Sequence, residues 1–396
     1  MASIINAATS GGLVTTADTS GILQLQTAGT TAVTVDASQN VTFVNSASLP
    51  NTFGFKNRII NGEMDIDQRN AGAAVTPTAG TYTLDRYFYQ LSQASKATIQ
   101  QNAGSVTPPT GFTNYLGVTS TSAYSSGAGD FFRIFQSIEG LNVSDLAWGT
   151  ANAKTVTLSF QVYSSLTGTF GGSLQNSASN RSYPFTYSIP TANTWTTISI
   201  TIAGDTSGTW LTTNGTGITV GFNLGTGTTF SGTANAWAGA NYLSATGATS
   251  VLATNGATFY ITGVQLEKGS TATSFDFRSY GTELVLCQRY FYRAVNGNSQ
   301  VITNGFYYSN SDVRGVINFP CTMRSAPSLV SSSGTNHFRL QAVGADDEFN
   351  TLLDAGPTST TAMYLYINSN VSGTAGTAGA IISNNASASL AFSSEL

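Results

Sequence analysis

The sequence predicts an all-β protein: a short N-terminal β-rich segment, a jelly-roll β-sandwich, a short linking helix and a smaller C-terminal β-sandwich. Three observations carry this. Apolar residues alternate with Thr, Ser and Gln in repeated runs, the pattern of sheets with one wet face. Clusters of Gly, Ser, Thr, Asn and Pro separate the runs and read as turns. Hydrophobic residues make up 41% of the 396-residue chain and charged residues 9%, where an ordinary soluble domain carries about 25% charged residues. The chain can therefore bury a large core, and it wets its surface with hydroxyls and amides.

In chain order, residues 1–55 contain only two charged side chains, Asp18 and Asp36, and three strand-like pieces at 22–25, 32–35 and 40–43. So few short strands cannot bury a core alone, so this piece is expected to fold against copies of itself or against a partner. Residues 56–280 form the large β domain. Within 154–163, Val156, Leu158, Phe160 and Val162 share one face; Ile198, Ile200 and Ile202 follow Trp195, and Ile218, Val220, Phe222 and Leu224 repeat the pattern. Trp195 and Phe160 are assigned to packing. Phe259 and Ile261 are in phase, but Val264 and Leu266 are shifted by one, a slip that a bulge at Thr262-Gly263 absorbs. Asp145 is expected to cap a short turn through Trp148. Residues 281–293 are predicted as the linking helix, with Thr282 as N-cap, Glu283 in the first turn, and Leu284, Cys287 and Phe291 at helical spacing. Residues 294–396 form the smaller β domain, with strands at 313–319 and 363–367; its tract 369–388 is rich in Gly, Ala, Ser and Asn.

Composition excludes several function classes. A net charge of −4 and 15 basic residues argue against nucleic-acid binding. The longest apolar runs fall far short of the ~20 residues that span a membrane, and the first residues lack the basic and apolar regions of a signal peptide. Cys287 and Cys321 sit in apolar contexts and read as two buried free thiols. His337 is the one histidine, without a neighbouring nucleophile elbow, so it is read as structural. Glu63, Asp65 and Asp67 alternate with Met64 and Ile66, which would put three carboxylates on one solvated strand face; Asp346, Asp347 and Glu348 read as an acidic loop tip. No catalytic residue, cofactor site or metal site is assigned. Arg86, Arg133 and Arg289 are expected to pair with the scarce carboxylates.

The run Lys56-Asn57-Arg58-Ile59-Ile60-Asn61-Gly62-Glu63-Met64 resembles the opening of jelly-roll domains in bacteriophage fibre proteins. So do Tyr82 to Tyr87, Trp148 to Lys154, Gly263 to Thr273 with its Gln265-Leu266-Glu267 core, Arg278 to Gly281, Cys287 to Phe291 and Phe319 to Pro327. The resemblance covers most of residues 56–330, and residues 1–55 resemble the virion-anchoring start of such fibres. It implies a virion tail-fibre-like structural protein: a homotrimer, attached to other virion proteins through residues 1–55, displaying jelly-roll and distal β domains that adsorb to host-surface polysaccharide. It implies no enzyme and no membrane insertion. A head- or neck-attached decoration fibre is the alternative, and a polysaccharide-degrading enzyme a further one. Many such jelly rolls hold a structural calcium through a carboxylate near the opening motif and an Asp in the last strand. Glu63 matches the first position, whereas Tyr260-Ile261-Thr262-Gly263 stands where the Asp is wanted.

A glycan-binding role directs attention to aromatic rings flanked by polar side chains. Tyr307 and Tyr308 lie near Asn304 and Asn310, and Tyr364 and Tyr366 share one strand face. These four are the candidate glycan contacts, with packing between subunits or sheets as the alternative for each.

Overall fold

Where hydroxyl-bearing and apolar residues alternate, the chain forms strands. The computed structural model describes residues 3–8, 12–16, 19–43 and 55–396; the end of the N-terminal segment, 44–54, lies outside them. The chain divides into two compact units, residues 1–53 and 54–396. The first is a five-stranded sheet of β1 (Ser3–Ala8), β2 (Gly12–Thr16), β3 (Leu23–Thr27), β4 (Thr30–Val35) and β5 (Val41–Phe43), in the order β2-β1-β3-β4-β5. Directly opposed residues share a face, and the pairs Leu23↔Val35, Leu25↔Val33, Val33↔Phe43 and Val35↔Val41 gather these apolar side chains on one side. Leu23, Leu25, Val41 and Phe43 are exposed there.

The second unit begins with the jelly roll. Its strands are β6 (Thr81–Leu84), β7 (Tyr87–Leu91), β8 (Ala97–Gln101), β9 (Leu116–Ser120), β10 (Phe131–Glu139), β11 (Val156–Ser164), β12 (Gly168–Gln175), β13 (Ser182–Ile189), β14 (Thr196–Ile202), β15 (Thr216–Thr226), the short pair β16 (Ser231–Gly232) and β17 (Ser244–Ala245), and β18 (Thr258–Lys268). A six-stranded sheet, β13-β12-β15-β10-β7-β6, faces a five-stranded one, β14-β11-β18-β9-β8. The alternating residues Val156, Leu158, Phe160 and Val162 of β11 and Ile218, Val220, Phe222 and Leu224 of β15 are buried in the core between them. The phase slip in β18 is a bulge: Ser159 pairs with Gln265 but Gln161 with Thr262. Gly263 takes the left-handed φ of 61° that the bulge requires.

Helix α1 (Tyr280–Gln288) leads into β19 (Phe291–Asn296), β20 (Val301–Ser309), β21 (Asp312–Asn318), β22 (Ser328–Ser331), β23 (Phe338–Ala342), β24 (Ala345–Phe349), β25 (Leu353–Thr358), β26 (Ala362–Ile367), β27 (Ala378–Ser383) and β28 (Ser389–Ser393). A three-stranded sheet, β19-β28-β22, and a seven-stranded sheet, β24-β23-β27-β20-β21-β26-β25, share a second core that includes Phe338, Leu340, Met363, Leu365 and Phe392. The Gly/Ala/Ser-rich tract thus supplies β27, an interior strand.

Several expectations need correction. The helix ends at Gln288 rather than 293, because Phe291 pairs with Ser393 and sheet pairing overrides its helical spacing. Ser279, not Thr282, holds the N-cap position, and their hydroxyls bond each other at 2.8 Å. Asp145 lies within a 3-10 turn, Ser144–Leu146, and binds Arg58 at 3.0 Å and Lys268 at 3.3 Å instead of capping. Residues 346–348 belong to β24, not a loop tip: Arg339 pairs with Asp346 at 3.0 Å, and strand pairing with β23 sets the backbone. Residues 63–67 are not a strand; Met64 has φ 63° and enters the main core, while Ile66 packs with Cys287 and Tyr290. Both cysteines are free thiols, Cys287 buried but Cys321 only half-buried, with its Sγ 3.6 Å from the Val285 carbonyl oxygen.

Candidate functional site

The outer face of the seven-stranded sheet forms the candidate site. Strand alternation sends Tyr307, Val313, Ile317, Met363 and Leu365 inward and leaves Phe306, Tyr308, Arg314, Val316, Tyr364 and Tyr366 on the other side. The ladder aligns Phe306, Arg314, Tyr366 and Leu353 in one cross-strand row, and Val316 with Tyr364 in the next. Arg314 organises the face. Its guanidinium lies 3.7 Å from the Tyr308 ring centroid and 5.6 Å from that of Tyr364. Asp312 holds it at 2.7 Å. The cation thus sits over one face of the Tyr308 ring, while Tyr308 as a whole stays exposed. Phe306, Val316, Pro357, Ala362 and Tyr364 line a groove of about 530 Å³ along this face.

The four tyrosines singled out in the sequence separate. Tyr308 is 59% exposed, and Tyr364 and Tyr366 are half-buried on the same face. Tyr307 is corrected: it is 5% exposed, and its hydroxyl donates to Asp347 at 2.5 Å, so it is a core residue and presents no ring to a ligand. Burial and the adjacent Asp347 carboxylate push its pKa up. Phe306, Arg314 and Val316 were missed. Their signal lay in the sequence: Phe306 and Tyr308 share parity, as do Arg314 and Val316.

The other groups weighed from the sequence are occupied structurally. Asp65 accepts from Thr113 at 3.0 Å and Asn114 at 2.7 Å, and Asp67 accepts the backbone N–H groups of Asn70 and Gly72. Burial raises the Glu63 carboxyl to about 7, helped by the charges of Asp65 and Glu283 and opposed by Arg278. Glu283 accepts from Arg278 at 3.1 Å and from the Asn61 N–H. These residues do not fit a calcium ion. Glu283 and Asp65 are already satisfied, and among the described residues no group of three His, Cys, Asp or Glu side chains converges. His337 is nearly buried and its Nδ1 bonds the Ser332 hydroxyl at 2.8 Å.

The motif residues interlock with one another. Asn57 donates to the Val264 carbonyl at 3.0 Å and accepts from the Leu266 N–H at 3.0 Å. Asn61 bridges Ile66 and Asp85, and a Cβ on Gly62 would come within 2.3 Å of the Val264 oxygen. Glu267 accepts the Thr273 N–H and hydroxyl at 2.8 and 2.7 Å. Arg86 pairs with Glu395, and Arg289 with Glu139 at 2.6 Å. Arg133 departs from the expectation. It is buried, yet no carboxylate pairs with it among the described residues.

No protein-family profile matches the chain. No curated protein matches it in sequence. Among solved structures, it is similar to the enzymatically active domain of tailspike protein 4 of bacteriophage CBA120, at 11% identity over 54% of this chain and TM-score 0.29. The chain spans 22% of that protein's length. It is similar to a CBM4 module at 15% identity, 53% of this chain, 98% of that chain and TM-score 0.27. The family 11 carbohydrate-binding module of a Clostridium thermocellum cellulase matches at 13% identity, 52% of this chain, 99% of that chain and TM-score 0.24. These likenesses are remote.

Proposed function

We propose that the chain is a bacteriophage structural fibre protein that recognises host-surface polysaccharide through the outer face of its distal sheet. One observation carries the recognition role: Tyr308, Tyr364, Phe306 and Val316 form an uncovered aromatic and apolar platform beside the fixed cation Arg314. Sugar rings stack on such faces through their C–H surfaces, while hydroxyls bond flanking polar groups. The fibre part is supported by the resemblance of residues 56–330 to phage fibre proteins. Self-association, as a homotrimer, is supported by the apolar sheet face of residues 23–43, which the first unit leaves exposed. Attachment to the particle through residues 1–55 and location on the virion belong to the same reading. No catalytic step is part of it.

The test is binding of the full chain to polysaccharide purified from a susceptible host. Tyr308→Ala and Tyr364→Ala should each weaken binding about 2- to 30-fold, as expected for loss of one stacking ring, with the melting temperature retained. Unchanged binding in the double variant would sink the reading. Immunolabelling at the head or neck, with adsorption intact when the protein is removed, would favour the decoration-fibre alternative.

A further inference from the structure

The jelly roll carries a second polar face, distinct from the distal platform. Alternation along β10 sends Phe132 and Ile134 into the core and Arg133 and Phe135 to the outer side of the six-stranded sheet. On that side Arg133 pairs across the ladder with Gln90 and Asn223, and Phe135 with Phe88 and Gly221. The guanidinium lies over Gly221, in van der Waals reach of it: a Cβ there would lie 3.5 Å from Arg133 Nη1. Arg133 is 6% exposed. Its Nε donates to Gln90 at 2.7 Å and its Nη1 to Gln175, whose Nε2 donates to Asn241 at 2.7 Å. Both partners are neutral amides.

A buried cation without a counter-charge is costly. Burial pulls its pKa down to about 9, which leaves it charged at neutral pH. The Nη2 edge has no partner among the described residues and is not closed off from solvent. A second group is also unsatisfied. Ser173 sits opposite Gly221 on the same face, wholly buried, and its Oγ has no partner. Beside them the half-buried rings of Phe88 and Phe135 lie 5.2 Å apart. A charged donor edge, its guanidinium stacked 4.5 Å from the Phe135 ring centroid, beside an aromatic wall suits a ligand that carries a carboxylate.

We propose that this face binds a carboxylate-bearing sugar, a hexuronate unit of a polysaccharide, with the carboxylate on the free edge of Arg133. The carboxylate half of the inference rests on Arg133 alone, and the sugar half rests on the polysaccharide reading above. A bound carboxylate would supply the counter-charge that the chain lacks, with the guanidinium already fixed by two amides and little ordering left to do.

The test is calorimetric titration of the full chain with oligogalacturonate, a neutral galactose oligomer, acetate and inorganic phosphate. The acidic oligomer should bind at least ten times more tightly than the neutral one. Arg133→Gln should lose about 10- to 100-fold of that affinity, the range for a hydrogen bond to a charged group. Arg133→Lys, which keeps the charge but not the fork, should lose less. If Arg133→Gln fails to fold, the acidic-against-neutral comparison on the natural chain and the Arg133→Lys variant still decide. Equal affinity for both oligomers would overturn the carboxylate assignment, and acetate or phosphate binding as tightly as the acidic oligomer would overturn the sugar assignment. No uronate binding by the natural chain would overturn the proposal, and a native mass altered by the Arg133 variants would then make the face a subunit contact.

Discussion

At the scale of single residues, the scarcity of charge makes each ionisable group consequential. Arg86 is fully buried, stacked 3.6 Å from the Tyr290 ring and paired with Glu395. Burial would raise Glu139, but Arg289 and Tyr290 donate to it at 2.6 and 2.7 Å and hold its carboxyl below the usual range. Glu63 is the opposite case, raised to about 7 from 4.5 by burial and neighbouring acids. A carboxyl whose folded pKa exceeds its unfolded value binds more protons when folded, so stability falls as pH rises between the two. Glu63 therefore contributes a loss of stability from about pH 4.5 to 7. Urea unfolding of Glu63→Gln across that range should show a shallower decline than the natural chain. An identical slope would show that Glu63 keeps an ordinary pKa.

At the scale of elements, β18 joins the motifs to the fold. Its bulge lets Phe259, Ile261, Val264 and Leu266 all reach the core despite their changed phase. Gly263 sits in the left-handed region, and a Cβ there would lie 2.7 Å from the Phe112 ring. Gly263→Ala combines strain at that φ, about 1–3 kcal/mol, with a ring displacement. A midpoint in chemical unfolding lowered by the equivalent of at least ~1 kcal/mol is expected. A variant as stable as the natural chain would mean that the strand can shift register. The bulge was legible in the sequence because a period-2 pattern cannot change phase without an extra residue. Helix α1 was legible but overextended, since the spacing of Phe291 does not reveal that β28 competes for it.

At the scale of the whole molecule, polar contacts tie the distal domain to the jelly roll. Glu395 binds Arg69 as well as Arg86, Arg324 donates to the Asn214 carbonyl at 3.0 Å, and Arg293 donates to the Arg69 carbonyl. Ile60, Ile66, Cys287 and Tyr290 pack between helix and jelly roll as a separate apolar cluster. These contacts make residues 54–396 one unit. The first unit differs in having an apolar sheet face that remains exposed. Light scattering of the full chain should give the mass of three copies, and Leu25→Asp with Phe43→Asp should lower it. A single-chain mass at micromolar concentration would remove the support for a fibre.

The sequence by itself determined the β class, the faces of β11, β15 and β26, the bulge in β18 and three of the five strands of the first unit, β1 and β2 having gone unrecognised. Each is a local consequence of side-chain period, which the pleat reads directly. It also singled out Tyr308, Tyr364 and Tyr366, three of the residues on the candidate face. Only the tertiary structure decided the rest. Tyr307 has the same local signature as its neighbour, and strand parity alone could not say which of the two faces Asp347 and the core. β27 has small residues and little alternation, so its place inside the seven-stranded sheet depends on partners distant in the chain. Arg133 was expected to find an acid, and which arginine lacks one is a question of long-range placement: Glu139 is taken by Arg289, and Glu395 by Arg69 and Arg86.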